Sequence, residues 1–248
     1  MSQTAPMPDL SGKTALVTGA SRGIGRAMAR ALAQAGAHII AVARTQGGLE
    51  ELDDEIRADG GSASLVPMDL SEGDGVEQLV SALADRYPAI DILLANAAIL
   101  GELAPLTDID PVVWRKTLDL NVTVNWRLLR ALDPMLRAAP AGRAVFLTSS
   151  VGGLYPRAFW GGYAVSKAAL EMLAKTYAEE IKTTNIKVAI IDPGAMRTAM
   201  RAAAVPGEDP QDLPAPEALA PLLYHTVSPA YEGVAERFSF KTWNSEER

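Results

Sequence analysis

Two apolar rhythms alternate along the chain. Thr14–Val17 is a short apolar run that ends at Gly19. Ile24, Met28, Ala31, Leu32 and Ala35 then recur at helical spacing, and Gly36 ends that helix. Ile39–Ala43 is a second run. Leu49, Leu52 and Ile56 mark a second helix, and Ser64–Val66 a third strand. Val76, Leu79, Val80 and Leu83 predict a third helix before the strand Asp91–Ala95. Asp110 caps and Pro111 opens a long helix to about Arg137. Arg143–Thr148 reads as a strand, 162–183 as a helix, and Ile186–Ile191 as another strand. Such alternation predicts an α/β fold, a doubly wound parallel sheet with helices on both faces. The rhythm loosens afterwards. Residues 205–216 hold four prolines and read as a loop. Pro216 opens a short helix through Leu223, and Val234–Phe240 reads as a last strand.

Composition narrows the chemistry. The 248 residues suffice for a single domain, with 1–9 a frayed polar tail. There is no cysteine and only two histidines, His38 and His225. Disulfides, thiolate metal sites and a cysteine nucleophile are excluded, and a three-histidine metal site cannot be built, so no metal is expected. The net charge is −7 and basic runs are missing, which argues against nucleic acid or an anionic membrane as partner. No signal peptide is visible at the start. Nor is there an apolar stretch of about 18 residues, so no spanning helix is expected. The expected compartment is the cytoplasm.

The first strand runs directly into Thr18-Gly19-Ala20-Ser21-Arg22-Gly23-Ile24-Gly25. Glycines where a strand becomes a helix let backbone N–H groups and the helix N-terminus approach a pyrophosphate. A tight turn without ligand is the competing reading. The spacing G-x-x-x-G-x-G resembles the T-G-x-x-x-G-x-G motif of the short-chain dehydrogenase/reductase family. At the end of the second strand, an acidic residue would bind a ribose hydroxyl. Here stand Ala43 and Arg44 instead, and Arg22 lies in the glycine turn. Two guanidinium groups suit a 2′-phosphate, so the resemblance implies NADP(H) in preference to NAD(H). Asp69, followed by Leu70, resembles the family's adenine-contacting aspartate, with a turn or cap as the alternative. Asn96-Ala97 matches the middle of the family's Asn-Asn-Ala-Gly, whereas Ala95 and Ala98 depart from it. The resemblance implies that Asn96 ties adjacent strands beside the cofactor.

Tyr163 and Lys167 stand four apart on a predicted helix and share a face. At about 5 Å and an effective dielectric near 20, an ammonium favours a phenolate by roughly 3 kcal/mol, about two pKa units. Lysine is therefore expected to lower the tyrosine pKa. Ser150 lies thirteen residues before Tyr163, the spacing at which the family places its catalytic serine, with Ser149 the second choice. Asn121, inside the long helix, resembles the asparagine that holds a water beside the lysine. Pro193, Gly194, Met196 and Thr198 follow the next strand and resemble the Pro-Gly-x-x-x-Thr segment that holds the nicotinamide.

The resemblance covers about residues 10–200 and implies a single Rossmann-type nucleotide-binding domain with 199–230 as a variable substrate lid. It implies an oxidoreductase that interconverts a carbonyl and an alcohol by hydride transfer. Tyr163, Lys167, Ser150 and Asn121 are its expected catalytic set. Tyr155, Phe159, Trp160, Met196, Met200 and Val205 are candidates for an apolar substrate pocket, with Leu100–Leu103 closing the opposite side. They are ordinary packing in the alternative. The competing functions are a cofactor-sensing protein with little turnover and a sugar-nucleotide epimerase. The second needs a larger C-terminal part than the 50 residues after Thr198. Helices 111–137 and 162–183 resemble those that pair across two-fold axes in the family, implying a homodimer or homotetramer.

Overall fold

The computed structural model describes residues 5–245, so the first four residues of the expected tail lie outside the described residues. Seven parallel strands form one sheet in the order β3-β2-β1-β4-β5-β6-β7. They are β1 (Thr14–Thr18), β2 (His38–Ala43), β3 (Ser62–Pro67), β4 (Ile92–Ala95), β5 (Arg143–Leu147), β6 (Lys187–Asp192) and β7 (Val234–Ser239). Between them run α1 (Gly23–Gln34), α2 (Gln46–Ala58), α3 (Gly75–Ala84), α4 (Pro111–Leu118) and α5 (Val124–Ala138). A one-turn segment α6 (Ser150–Gly153) precedes α7 (Gly161–Ile181). Short helices α8 (Ala199–Ala204), α9 (Ala220–Val227) and α10 (Phe240–Ser245) complete the described chain.

Strand side chains alternate between the two faces of the sheet. Ala15 and Val17 of β1 pack with α1, α2 and α9, while Leu16 packs with α3, α5 and α7. Ile39 and Ala41 of β2 divide from Ile40 and Val42 in the same way. Burial on both faces is why these strands read as unbroken apolar runs. The order reverses between β1 and β4, so the crossovers leave to opposite sides. A crevice opens there at the carboxyl ends of the strands, where such sheets bind ligands.

Two expectations change. The long helix predicted from Pro111 is interrupted by a π-helical stretch, Asp119–Thr123, centred on Asn121. The segment 199–230 is not all lid. Leu219, Leu222 and Leu223 are fully buried, and the Tyr224 hydroxyl donates to the Ala31 carbonyl at 3.1 Å. Apolar spacing in α9 docks that part beneath α1, leaving α8 and the stretch at Leu213–Pro214 beside the crevice. The proline-rich loop itself holds a 3-10 turn at Pro210–Asp212. At the far edge, His225, Tyr231, Phe238 and Trp243 form one aromatic cluster, with centroids from 4.9 Å (His225–Trp243) to 6.1 Å (Phe238–Trp243).

Candidate active site

The crevice holds two adjoining cavities. The first, about 490 Å³, is lined by the glycine turn, the ends of β2 and β4, and Lys167. Backbone geometry shapes it. Gly19 has φ of +67°, a conformation that disfavours side chains. A Cβ on Gly25 would stand 2.2 Å from the Gly19 carbonyl oxygen and 2.5 Å from Asn96 Nδ2. Only hydrogen at that position lets the turn close over the start of α1. Asn96 locks the neighbouring strands together, its Nδ2 donating to the Thr18 and Gly19 carbonyls at 2.9 and 3.3 Å. Thr18 Oγ1 accepts from the Asn96 and Ala97 N–H groups, both at 3.0 Å.

Ser21, Arg22, Gly23 and Ile24 line this cavity, as do Arg44, Asp69, Leu70 and Ala97. Arg44 is exposed and reaches Asp69 at 3.5 Å, while Ser71 donates to Asp69 from both its N–H and its hydroxyl. Burial pushes the Asp69 carboxyl up, but the Ser71 bonds and Arg44 outweigh it and hold it below the usual range. Sequence reasoning did not single out Val42, Thr45 or Met68, which also line this end. They are ordinary strand-end residues, and only sheet topology brings them here.

The second cavity, about 690 Å³, lies on the other side of Tyr163. Leu100, Tyr155, Trp160, Met196 and Met200 line it as expected, together with Gly194, whereas Phe159 and Val205 do not. Phe159 is turned to solvent with φ of +70°. Val205 packs instead against the cluster of Val151, Trp160 and Tyr163. Pro193 and Thr198 line both cavities. Thr198 also caps α8, its Oγ1 accepting from the Arg201 N–H at 3.2 Å.

Tyr163 and Lys167 share the inward face of α7. Lys167 is 3% exposed and donates to the Leu147 carbonyl at 2.9 Å, with Nζ 5.7 Å from the Tyr163 ring centroid. Burial pulls the Lys167 ammonium down to about 8. Tyr163 moves the opposite way to expectation. Burial pushes its hydroxyl up to about 12, a hydrogen bond with Ser149 lowers it, and the Asp192 carboxylate raises it. Loss of hydration around a buried phenolate exceeds the help of the Ser149 hydrogen bond.

The serine also differs. Ser149 is extended, with φ of −155° and ψ of 149°, and continues the run of β5. It is Ser149 that meets Tyr163. Ser150, one residue on, also lines the second cavity, but its hydroxyl donates to Asp192. Counting thirteen residues assumes a fixed loop between the serine and the tyrosine. This loop carries non-helical angles at Val151 and Gly152 and a left-handed Phe159, so the count alone does not decide which serine meets Tyr163.

Asp192 and Glu171 are buried carboxylates that share one cation. Arg237 on β7 reaches Asp192 at 2.9 Å and Glu171 at 3.3 Å. Glu171 also takes Lys175 at 3.1 Å and the Thr148 hydroxyl at 3.2 Å. The network ties the ends of β5 and β6 to α7, which carries Tyr163. No sequence motif signals it, because its members come from four distant segments.

Asn121 lines neither cavity. Its Oδ1 accepts from the Ile99 N–H, and its Nδ2 donates to the Ile99 carbonyl and Ser166 Oγ, each at 2.9 Å. The side chain therefore braces α7 and the loop after β4 rather than reaching toward Lys167. Its backbone carbonyl, displaced by the π stretch, accepts from Asn125 Nδ2 at 2.9 Å.

A parallel sheet with a phosphate-sized turn at its switch point, beside a buried Tyr–Lys pair, defines a nucleotide-dependent oxidoreductase. The sequence profile described as short chain dehydrogenase matches residues 13–209. The chain thus belongs to the short-chain dehydrogenase/reductase family, enzymes that act on CH–OH and C=O groups. It is 38% identical over 216 residues to the uncharacterized oxidoreductase YciK of Escherichia coli K12, covering 86% of this chain and 85% of that one. Human dehydrogenase/reductase SDR family member 4 is 34% identical over 190 residues, 77% of this chain and 68% of that protein. Among solved structures, a short chain dehydrogenase from Shigella flexneri 2a complexed with NADP superposes with a TM-score of 0.90 at 35% identity, covering 94% and 98% of the two chains. One from Escherichia coli CFT073 complexed with NADPH gives 0.89 at 36% identity, with the same coverage.

Proposed function

We propose that this protein is an NADP(H)-dependent carbonyl reductase, reversible to alcohol oxidation, with Tyr163 as its proton donor. The observation that carries this reading is position. Among the described residues, Tyr163 is the one titratable side chain that lines both cavities. A group that serves hydride transfer between two bound molecules must face both of them.

The first cavity fits a dinucleotide because Gly19 and Gly25 leave a cradle that a Cβ would fill. Bound NADPH supplies the hydride there. Arg22 and Arg44 hold its 2′-phosphate, a reading supported by the NADP and NADPH found in the Shigella and Escherichia relatives. Asp69 and Leu70 border the adenine end, and Pro193 and Thr198 the nicotinamide end, with Gly194 and Met196 beside them in the second cavity.

At neutral pH a hydroxyl with pKa about 12 is fully protonated. Tyr163 therefore suits the acid's role, giving its proton to the substrate oxygen as the carbonyl is reduced. Ser149, already bonded to Tyr163, is placed to donate to the same oxygen and stabilise its growing charge. Lys167, still mostly charged at pH 7, offsets the tyrosinate that remains. Asn121 acts by bracing α7. Ser150 holds the turn against Asp192.

Tyr163→Phe is expected to lower kcat by about 10³-fold, within the range for general acid catalysis, and to leave the NADPH dissociation constant unchanged. Turnover within tenfold of wild type would defeat the assignment and favour a cofactor-sensing role. The protein is also proposed to form a homodimer or homotetramer through α4–α5 and α7. Val112, Trp126, Val165 and Met172 stand exposed on these helices, an apolar surface that a second copy would cover. Sedimentation at micromolar concentration tests this, and a monomer would refute it.

A further inference from the structure

We propose that the substrate carries an anionic group, separated from its reacting carbonyl by an apolar segment, and that Arg157 and Lys241 bind that group. The proposal rests on the reductase reading and names the substrate class of the same site.

The charge around the second cavity is unlike that of the chain. The whole protein is net −7, yet the charged residues lining this cavity are Arg157, Arg201 and Lys241, with no carboxylate among them. Arg201 is already neutralised, since Glu208 grips its Nε and Nη2 at 2.5 and 2.6 Å. Glu208 feels Arg157 as well, but its two contacts commit it to Arg201. Three cations against one carboxylate leave the mouth near +2. A low-dielectric cleft lined by one sign of charge concentrates ligands of the opposite sign.

The placement of Arg157 adds geometry to charge. Its guanidinium lies 4.6 Å above the Trp160 ring, and Trp160 meets Tyr163 edge-on at 5.9 Å. Stacking fixes the plane of the guanidinium while leaving its N–H fork free for an oxyanion. A ligand whose carbonyl touches Tyr163 thus passes along Trp160, Met196 and Met200 before its other end reaches Arg157. Lys241, on α10, lines the same cavity. The arrangement suits a carboxylate or a phosphate at the end of a short apolar spacer, and the two share oxyanion chemistry.

The test uses matched probes with the NADPH-loaded protein: 6-oxoheptanoate against its methyl ester, and 5-oxohexyl phosphate against 5-oxohexanol. Reduction is followed at 340 nm, and binding to the NADP-loaded protein by calorimetry. At least one anion is expected to exceed its neutral partner about tenfold in kcat/KM and in affinity, with the advantage shrinking as salt rises. Which anion leads distinguishes carboxylate from phosphate. In Arg157→Gln/Lys241→Gln the anion-to-neutral ratio is expected to fall to near one. Equal handling of both pairs by the wild type, or a preference that survives the double substitution, would overturn the proposal. Failure of the reductase reading looks different: no probe is turned over, while the binding preference for the anion persists.

Discussion

The two halves of the crevice are built by different means. Around the first cavity, backbone does the shaping: a glycine turn without room for a Cβ, an asparagine bonded to two carbonyls, and strand ends in register. Around the second, side chains do it: a half-buried Arg237 joining two carboxylates, a stacked arginine, and a loop with a left-handed Phe159. Backbone devices demand particular residues at particular spacings. Side-chain networks draw their members from wherever the fold brings them together. The first half is therefore rigid in sequence, and the second is free to change its ligand.

The largest effect that would sharpen this contrast is expected from Arg237→Met. Asp192 would remain buried without its cation, and Glu171 would keep only Lys175, a loss of about 3–5 kcal/mol in stability. Thermal denaturation should fall by roughly 6–15 °C, and kcat/KM should drop while the NADPH dissociation constant holds. Arg237→Lys should recover part of both. Unchanged kcat/KM in the methionine variant would break the claim that this network sets the catalytic half. Gly25→Val is the converse experiment. A side chain inside the contact distance of Gly19 should weaken NADPH binding by at least about 100-fold, close to 3 kcal/mol. Fluorescence titration measures it, and a change below tenfold would show the cradle to be looser than drawn.

A third prediction concerns pH. Lys167 ionises near 8 in the folded protein but at its usual value of 10.5 when unfolded. From about pH 8 to 10 the unfolded chain thus binds the extra proton, and stability rises with pH. Lys167 contributes up to about 3 kcal/mol to that rise, and the contribution is lost again as pH falls through 8. Tyr163, held protonated to about 12, acts oppositely above pH 10. Urea unfolding of wild type and Lys167→Met at pH 7.5, 8.5 and 9.5 should differ in slope, and parallel curves would contradict it. The smallest effect is cofactor choice. Arg44→Ala should reduce the preference for NADPH over NADH by about tenfold, one charge-assisted contact at an exposed position. No change would assign the 2′-phosphate to Arg22 alone.

What the sequence revealed follows the same division. The strand runs, the glycine turn and the Tyr163–Lys167 pair were legible because period and spacing encode them locally. The π stretch at Asn121 was not, since a continuous helical pattern conceals one extra residue per turn. The docking of α9 was obscured by the prolines before it, although its leucines already carried the signal. Which of Ser149 and Ser150 bonds to Tyr163 was not legible, because the conformation of the loop, not distance along the chain, decides it. The opposing pKa directions of Tyr163 and Lys167 depend on burial, which no spacing conveys.

The most direct test compares Ser149→Ala with Ser150→Ala under saturating NADPH. The account predicts that Ser149→Ala lowers kcat by about 10²-fold, the loss of one donor to the substrate oxygen, with cofactor affinity intact. Ser150→Ala should lower it only a few-fold, through the loosened turn at Asp192. The reverse order, with Ser150 essential and Ser149 dispensable, would contradict the geometry on which the assignment of Tyr163 and its partner rests.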